Sequence, residues 1–378
     1  MAKYTFPVTR EEFLQLNLPE RLKLWAEDRE LEEYIKEKAF VANPPSKRVP
    51  RGTPEQKVAI IGSGPAGLGC ADELASLGFS VTVFERDDRA GGLLVYGVPN
   101  IKLPKMLLKE KLQAMQAKGV EFRLNTLVGK DILWQDLERE FAAIVVCTGS
   151  TKERELKVPG ADLAGVVYAK EYLQSTTRSL LEQELAVGTY VDAKDKNVLI
   201  IGGGDTGADC SALALAQGAK TILQLELQEC EMTRNVNQEG FCEITAGDVT
   251  LKYTTKLVAL KGDPSGKLTQ AEIVQVAWGF SESGLPISEE KPGTNQVLAI
   301  DLAIVAIGFT GPEPLIFESS GITKTPLGTA WNVSGSFATA KAGIFVAGDV
   351  RRGGGMVEWA FAEGRDAAAE VAVYLAKQ

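Results

Sequence analysis

One pattern of residues occurs twice in this 378-residue chain and restricts the folds that the chain can adopt. In each copy an apolar strand meets a glycine-rich turn, a helix follows, and a second strand ends at a glutamate. The first copy runs from Lys57 to Glu85 and the second from Asn197 to Glu226. Such a unit places two parallel strands side by side. Two copies therefore predict two parallel sheets and two nucleotide sites.

The first glycine-rich turn, G-S-G-P-A-G, spans Gly62 to Gly67. We expect Gly62 to permit a tight turn, Gly64 to let the backbone approach a pyrophosphate, and Gly67 to let helix and strand pack closely. The start of the helix presents free amide groups and a positive dipole end to phosphates. Glu85, at the end of the next strand, can accept hydrogen bonds from ribose hydroxyls. This turn is therefore predicted to bind a dinucleotide.

The second turn, G-G-G-D-T-G, repeats these roles with Gly202, Gly204 and Gly207. Glu226 ends the following strand, where a carboxylate accepts hydrogen bonds from an adenine ribose with a free 2′-hydroxyl and repels a 2′-phosphate. The second site is therefore predicted to bind NAD(P)H, with NADH preferred over NADPH. Two alternatives stay open: Glu226 is only a solvated strand end, or Arg234 swings in and favours NADPH.

Turns made of two small residues indicate that FAD is the cofactor of the first site. Gly91 and Gly92 follow Glu85 closely and form a second paired-glycine turn. Thr148 and Gly149 follow a predicted strand, where a small-residue turn can lie against a cofactor. Alone each motif is weak, since glycine turns are common. Their order along the chain is what indicates a flavin site.

The C-terminal region adds two features to the predicted flavin site. Gly348 and Asp349 follow the predicted strand Gly343 to Ala347, and the aspartate can hydrogen-bond a ribityl chain. The last helix begins near Met356 and can point its N-terminal amides at the flavin pyrimidine, which stabilises negative charge on the reduced ring. The sequence therefore predicts that both ends of the chain contribute to one FAD site.

Composition excludes several other classes of chemistry. The chain has no histidine, so neither a histidine general base nor a histidine metal ligand is available. Its five cysteines include no C-x-x-C pair, which excludes a thioredoxin-reductase-type dithiol and an iron–sulfur cluster of ordinary spacing. We predict no metal site, and we expect Cys70 and Cys210, at matching offsets in the two helices, to be core residues.

The net charge of -9 argues against nucleic acid or an anionic membrane as the main partner. No apolar run is long enough to span a bilayer, so no membrane insertion is expected. Few, scattered thiols favour a cytoplasmic location. The charged, helix-prone stretch Thr9 to Phe40 and the proline-containing linker Asn43 to Pro54 form an N-terminal arm. That arm is either a strap on its own protein or a docking element for another subunit, and periodicity does not separate the two.

At this point several motifs together resemble the glutamate synthase small (beta) subunit family over roughly Asp28 to the C-terminus. They are V-A-I-I-G-S-G-P-A-G-L, G-G-L-L-V-Y-G-V-P-N-I-K-L, I-G-G-G-D-T-G-A-D-C, A-I-G-F-T-G-P-E, V-A-G-D-V-R-R-G and W-A-F-A-E-G-R. The resemblance implies FAD at the first site, NAD(P)H at the second, and an FAD domain split by an inserted nicotinamide domain. The family normally begins with a cysteine-rich iron–sulfur region, whereas the first 69 residues here hold no cysteine. The segment after Arg234 also looks short and divergent.

The predicted fold is therefore α/β, with two Rossmann-like dinucleotide-binding domains, the NAD(P) domain being inserted into a split FAD domain. The predicted limits are 1–54 for the arm and linker, 55–165 and 310–378 for the FAD domain, and 166–309 for the NAD(P) domain. The predicted FAD site comprises Gly62, Gly64, Pro65, Ala66, Gly67, Glu85, Arg86, Gly92, Leu93, Val128, Thr148, Gly149, Gly348, Asp349, Met356 and Val357. The predicted NAD(P) site comprises Gly202, Gly203, Gly204, Asp205, Thr206, Gly207, Glu226, Arg234 and Gly308.

These expectations define a flavin-containing electron-transfer subunit that exchanges hydride with NAD(P)H and passes electrons to or from an iron–sulfur partner subunit. No protein acid or base is required, since the reacting atoms belong to the cofactors. One alternative is the NAD⁺-reducing flavin subunit of a metal-dependent oxidoreductase, for example one acting on aldehydes. Another is a stand-alone NAD(P)H diaphorase, and a third is a non-catalytic subunit with relic sites, against which the intact glycines argue.

Overall fold

The computed structural model describes residues 49–229, 243–280 and 286–378. The predicted arm, the first part of the linker and Arg234 lie outside the described residues. Packing divides the described chain into two compact units. The split unit consists of residues 49–98, Leu103–Arg154 and Phe309–Gln378, and the inserted unit of Pro99–Lys102 and the described part of Glu155–Gly308.

The described strands and helices follow in chain order. The strands are β1 (Lys57–Ile61), β2 (Ser80–Phe84), β3 (Glu121–Arg123), β4 (Ala143–Val146), β5 (Lys152–Glu153), β6 (Val166–Tyr168), β7 (Asn197–Ile201), β8 (Thr221–Leu225), β9 (Glu243–Ala246), β10 (Val249–Lys252), β11 (Thr255–Gly262), β12 (Leu268–Phe280), β13 (Pro286–Glu290), β14 (Gln296–Ala299), β15 (Leu302–Val305), β16 (Phe309–Gly311) and β17 (Ile344–Val346). The helices are α1 (Pro65–Ser76), α2 (Leu93–Tyr96), α3 (Lys105–Ala117), α4 (Trp134–Glu140), α5 (Ala169–Glu182), α6 (Asp205–Gln217), α7 (Pro314–Ser320), α8 (Asp349–Arg352) and α9 (Val357–Leu375).

The split unit is built on a parallel sheet with strand order β17-β4-β1-β2-β3. Its central strand β1 is apolar at Val58, Ala59 and Ile60, each 0% exposed. Helices cover both faces of such a sheet, which is why its strands read as continuous apolar runs. The glycine turn at the end of β1 therefore lies at the carboxyl edge of the sheet, where ligands bind in folds of this class.

Two helices of the split unit, α1 and α9, pack closely because they meet through small residues. A Cβ added to Gly364 of α9 would lie 2.0 Å from the carbonyl oxygen of Ala66 in α1. A Cβ added to Gly69 would lie 2.7 Å from the carbonyl oxygen of Phe361. This contact ties the C-terminal helix to the helix that follows the first glycine turn.

The inserted unit has a six-stranded sheet with order β6-β15-β7-β8-β10-β9, in which only β9 runs antiparallel to its neighbour. A second, antiparallel sheet is formed by β11 to β14 around the long strand β12. The predicted strand Ala271 to Trp278 lies inside β12. The expected pair of parallel sheets, one in each unit, is thus confirmed.

Residues 155–165 and the excursion Pro99–Lys102 pack with the inserted unit, whereas the sequence assigned them to the FAD domain. Leu163 contacts the position of Gly262, and Ile101 is 3% exposed in the core of the inserted unit. The limits assigned to the cofactor domains stay a prediction, since the two units are defined by packing and not by their ligands. Across the described ranges, no helix combines the length and the apolar character that a bilayer crossing requires.

Candidate functional site

The first glycine turn is shaped by contacts that leave no room for side chains. Gly62 has φ +95°, and a Cβ there would lie 2.5 Å from the carbonyl oxygen of Cys147. Its amide donates to the carbonyl of Phe84 at 2.8 Å. A Cβ on Gly67 would lie 1.9 Å from the carbonyl oxygen of Gly62. These two glycines therefore fix the turn itself, as their spacing predicted.

Gly64 is different, because the space beside it is open. It caps α1 with φ −64°, and a Cβ there would meet no atom of the described residues within 4 Å. Pro65 follows at the first helical position, where its missing amide costs nothing, and the first turn of α1 carries no acidic residue. An open helix N-terminus whose own first turn carries no carboxylate is a site that accepts an anion such as a pyrophosphate.

Glu85, which is 5% exposed, connects three turns of the split unit. Its Oε2 accepts hydrogen bonds from the amide of Ser63 at 3.0 Å and from the Ser63 hydroxyl at 2.5 Å. Its Oε1 accepts from the amide of Asp87 at 2.9 Å. The Ser63 hydroxyl in turn accepts from the amide of Gly91 at 2.8 Å. A carboxylate has lone pairs left after these bonds, so Glu85 can still accept a ribose hydroxyl.

The paired glycines after Glu85 lie against the first turn. Gly91 and Gly92 both have positive φ, 128° and 54°, and a Cβ on Gly92 would lie 3.0 Å from the Cα of Gly64. Leu93 begins the short helix α2 directly after them. The buried ammonium of Lys105 donates to the carbonyl oxygen of Leu94 at 2.7 Å, which holds this helix. Neither Ser63 nor Lys105 was expected from the sequence to belong to the site.

Thr148 carries a polar atom that lacks a partner. Its Oγ1 is buried and makes no hydrogen bond with any residue that the structure describes, although it lies in the turn after β4, beside Gly62. Gly149 follows with φ +71°. Of the other residues predicted for this site, Val128 is 4% exposed in the core, while Arg86 is exposed and its Nη2 lies 3.4 Å from the Thr151 hydroxyl. A bound ligand at this turn would supply the partner that Thr148 lacks.

A buried carboxylate organises the C-terminal part of the site. Glu363 of α9 is 4% exposed and accepts from the amide of Gly348, at φ +76°, at 2.8 Å. It also accepts from Arg351 Nη2 at 2.5 Å and lies 2.6 Å from Arg352 Nη2. Charge-assisted bonds of this kind are stronger than neutral ones, so Glu363 fixes the turn that begins α8. No signal beyond its place in the W-A-F-A-E-G-R motif indicated this role.

Asp349, the residue predicted to face a ribityl chain, is half-buried at the start of α8. Burial raises the pKa of the Asp349 carboxyl to about 6, and the negative charge of Glu363 adds to the increase. A hydrogen bond from the Gly355 amide and the Arg352 charge oppose it. Met356 caps α9 and is 47% exposed, and Val357 is the first helical residue.

The second glycine turn, in the inserted unit, repeats the geometry of the first. Gly202 has φ +118°, and a Cβ there would lie 2.3 Å from the carbonyl oxygen of Ala306. A Cβ on Gly207 would lie 2.2 Å from the carbonyl oxygen of Gly202. Gly204 caps α6, and a Cβ there would lie more than 4 Å from every atom in the described part of the chain. Gly308, with φ +79°, follows Ala306 as Gly149 follows Cys147.

Glu226 occupies the position in this unit that Glu85 occupies in the other. Its Oε2 accepts from the amide of Gly203 at 2.9 Å and its Oε1 from the amide of Gln228 at 2.8 Å. A Cβ on Gly203 would lie 2.4 Å from Glu226 Oε2, so Gly203 is needed for this contact. The buried Gln224 donates from Nε2 to the carbonyl oxygen of Gly202 at 2.9 Å, a support that the sequence argument missed.

Two further predicted residues of the second site lie at the start of α6, where Asp205 is exposed and Thr206 is half-buried. The structure thus brings the predicted residues of the second turn together in the inserted unit, Arg234 lying outside the described part of the chain. In the split unit it brings Gly62, Gly64, Gly67, Gly92 and Thr148 to the edge of one sheet. Their binding roles stay predictions.

Two glycine turns, each at the carboxyl edge of a parallel sheet, are typical of flavoenzymes that bind two dinucleotides. The chain belongs to the pyridine nucleotide-disulphide oxidoreductase family, whose model matches residues 56–364, and is an FAD-dependent NAD(P)H oxidoreductase. Within this class it is a member of the glutamate synthase small-chain family. It is 38% identical over 362 residues to the glutamate synthase [NADPH] small chain of Bacillus subtilis, and the match covers 91% of this chain and 73% of that relative.

Two other similar proteins extend the comparison. Glutamate synthase [NADH] of Schizosaccharomyces pombe is 36% identical over 349 residues, which are 88% of this chain and 16% of that protein. Among solved structures, Mycobacterium tuberculosis FprA in complex with NADPH aligns with a TM-score of 0.67 at 17% identity, over 85% of each chain. The structural likeness supports the fold, and the resemblance found from the motifs is confirmed by the sequence comparisons.

Proposed function

We propose that the chain binds FAD on the split unit and NADH on the inserted unit, and that it passes electrons from NADH to an iron–sulfur-containing partner in a complex like glutamate synthase. The observation that carries this proposal is the repeated turn. Among the described residues, both Gly64 and Gly204 cap a helix with open space beside them, while the first and third glycines of each motif are closed in by backbone carbonyl oxygens. Open space at the second glycine alone, in both units, is what two pyrophosphates require.

The residues of the split unit fit FAD. Thr148 Oγ1 is a buried polar atom without a partner, and the helix N-terminus beside Gly64 carries no acidic residue. Glu85 would hold the adenine ribose, the α1 amides the pyrophosphate, and Asp349 the ribityl chain. When bound, the flavin supplies a centre that takes a hydride and releases electrons one at a time. The protein groups position this cofactor and exchange no proton with the nicotinamide.

The coenzyme at the second site is decided by Glu226. Both of its oxygens accept backbone amides, so the carboxylate is held at the end of β8 and does not turn away. A free 2′-hydroxyl can donate to this carboxylate, whereas a 2′-phosphate there would add a like charge at close range. The names of the relatives include both NADPH and NADH forms, so membership of the family does not fix the coenzyme. We therefore propose a preference for NADH.

The partner is inferred from relatives. In the Schizosaccharomyces pombe protein the matching segment is 16% of one longer polypeptide called glutamate synthase [NADH]. In Bacillus subtilis the match is a separate small chain. A segment that is joined to the remainder of a synthase in one organism and separate in another is expected to associate with that remainder as a subunit. Iron–sulfur clusters accept single electrons. A flavin between NADH and the partner would take two electrons from NADH together and pass them to the clusters one at a time.

The first experiment tests the two cofactor sites on the purified full-length chain. We expect a yellow protein with about one FAD per chain that bleaches when NADH is added anaerobically. Gly204→Val should stay yellow and fail to bleach, because its side chain fills the space beside the helix N-terminus. Gly64→Val should be colourless. A Gly204→Val protein that bleaches at the wild-type rate would contradict the assignment of the second site.

The second experiment tests the partner. The chain is tagged in its native host and purified anaerobically, and the complex is assayed for iron, labile sulfide and glutamine-dependent formation of glutamate from 2-oxoglutarate with NADH. A complex that contains iron–sulfur clusters and forms glutamate supports the proposal. A complex that instead reduces NAD⁺ with an aldehyde would replace it with the aldehyde oxidoreductase alternative. A chain that purifies alone and reduces small acceptors would indicate a diaphorase.

A further inference from the structure

The two helices that follow the glycine turns differ in charge. The first turn of α1 has no acidic residue, whereas α6 begins with Asp205 and carries Asp209 one turn later. A helix N-terminus attracts phosphate through its amides and positive dipole end, and carboxylates close to it oppose that attraction. The inserted unit therefore has to bind a dinucleotide against a local negative charge that the split unit lacks.

Lys102 brings positive charge to this helix from a distant part of the sequence. Its Nζ lies 2.8 Å from Oδ1 of Asp209, whose side chain is 11% exposed, while the lysine side chain is 53% exposed. The lysine belongs to the excursion Pro99–Lys102, which packs with the inserted unit although the chain on either side of it belongs to the split unit. Ile101, 3% exposed in the core of the inserted unit, holds the excursion in place. The ammonium is thus kept beside α6 by a buried neighbour.

We propose that Lys102 is a positioning residue for the second site, which raises the affinity for NADH and NADPH alike by offsetting the charge of Asp209. This inference rests on the proposed function of the inserted unit. At a rise of about 1.5 Å per residue, Asp209 lies roughly 7 Å along the helix from its cap at Gly204. That distance is shorter than the Debye length of about 8 Å at physiological ionic strength, so the charge is felt at the cap and is weakened by added salt.

A charge effect and a purely structural strap predict different results. If Lys102 acts through charge, its loss weakens binding of both coenzymes, because both contain the pyrophosphate, and leaves the rate of hydride transfer unchanged. The effect should also decrease in high salt. If Lys102 only stabilises the fold as a strap, its replacement should lower the melting temperature. The size of that effect would not depend on the charge of the residue that replaces the lysine.

The test uses the full-length, FAD-containing chain and anaerobic stopped-flow reduction of the flavin. For Lys102→Gln we expect Kd to rise about fivefold for NADH and for NADPH at low salt, with an unchanged limiting rate, and to approach the wild-type value in about 0.5 M salt. Lys102→Arg should bind as the wild type does. Adding Asp209→Asn to Lys102→Gln should restore the affinity, since both charges are then gone.

The matched control is Lys261→Gln. Lys261 pairs with Glu272 at 3.0 Å and its side chain is 51% exposed, but the pair lies on the antiparallel strands β11 and β12. This control should leave Kd unchanged. A Lys102→Gln protein with the Kd of the control, an effect confined to the limiting rate, or a double variant that stays weak would overturn the inference. If Gly204→Val also binds both coenzymes normally, the proposed site itself fails; if Gly204→Val loses binding, only the role of Lys102 does.

Discussion

A side chain on Gly67 would collide with the carbonyl oxygen of Gly62, because an ideal Cβ there would lie only 1.9 Å from that oxygen. The corresponding distance from Gly207 to the oxygen of Gly202 is 2.2 Å. The third glycine of each turn is therefore required by the protein itself. The second glycine, Gly64 or Gly204, has no such contact with the described residues, and we propose that a ligand is the reason why this position lacks a side chain.

The first prediction separates these two requirements in the split unit. Gly64→Ala should leave the melting temperature of the apoprotein near that of the wild type, since its φ of −64° suits any residue and its Cβ meets nothing. The same variant should lose FAD affinity. Gly67→Ala should instead destabilise the apoprotein by about 1–3 kcal/mol or prevent folding, as overpacking does. Thermal unfolding of apoprotein and flavin content after purification measure the two effects.

Gly119→Ala provides a control for any effect of the alanine itself, because Gly119 has open space around it but a φ of +94°. It should cost backbone strain without changing the FAD content. The interpretation of Gly64 would be wrong if Gly64→Ala retained full FAD affinity, or if its apoprotein were as unstable as that of Gly67→Ala.

The sequence was sufficient to predict what depends on local spacing. The glycine turns, the strands before them and the acids Glu85 and Glu226 were predicted because a strand–turn–helix unit imposes fixed distances along the chain. The core positions of Cys70 and Cys210 were also predicted and are confirmed, since both are 0% exposed. Burial raises the pKa of both thiols well above the usual range, so neither is a ready nucleophile.

What the sequence did not reveal depends on contacts between distant residues. Glu363 sits in a helix and Gln224 in a buried strand, and neither carries a local signal that it holds a glycine turn. The packing of the excursion Pro99–Lys102 also has no signal in the sequence, since it follows from the burial of Ile101 in the core of the inserted unit. A pattern of apolar residues shows that a residue is buried but not against which unit it packs.

The second prediction concerns Glu363 and the turn at Gly348. Glu363→Gln keeps the volume of the side chain but removes the charge that accepts from Gly348 and from Arg351. Because one partner of a buried charged network is lost, we expect destabilisation of about 2–4 kcal/mol, measured by urea unfolding. Flavin should also dissociate more easily.

Glu290→Gln serves as the control, since Glu290 pairs with Lys256 at 2.9 Å on the surface with 47% of its side chain exposed. A change within about 0.5 kcal/mol is expected there. Equal unfolding free energies for the two variants would contradict the role assigned to Glu363.

The third prediction concerns pH and Asp349. Its pKa in the folded protein is about 6, above the ordinary value of about 3.9 for an aspartate, so the folded state binds more protons than the unfolded state between these values. The stability that this carboxyl contributes is therefore present below pH 4 and is lost as pH rises through 6. Asp349→Asn lacks this titration. In thermal scans of apoprotein from pH 4 to 7, the wild type should lose about 2–5 °C relative to Asp349→Asn. A difference that stays constant with pH would show that Asp349 titrates normally.

The last prediction concerns the choice between NADH and NADPH. Glu226→Ala removes the carboxylate from the end of β8 and frees the amides of Gly203 and Gln228, which water can reach because neither residue is buried. NADPH then meets no like charge, so its kcat/KM should rise, while NADH loses one ribose contact and its kcat/KM should fall slightly. The NADH-to-NADPH ratio of kcat/KM should decrease about tenfold, which corresponds to about 1.4 kcal/mol. Glu226→Gln separates the effect of charge from that of hydrogen bonding, since its amide oxygen still accepts from Gly203. If repulsion is the main cause, Glu226→Gln should raise the kcat/KM for NADPH nearly as much as Glu226→Ala does. A wild-type enzyme that favours NADPH would refute the assignment and direct attention to Arg234.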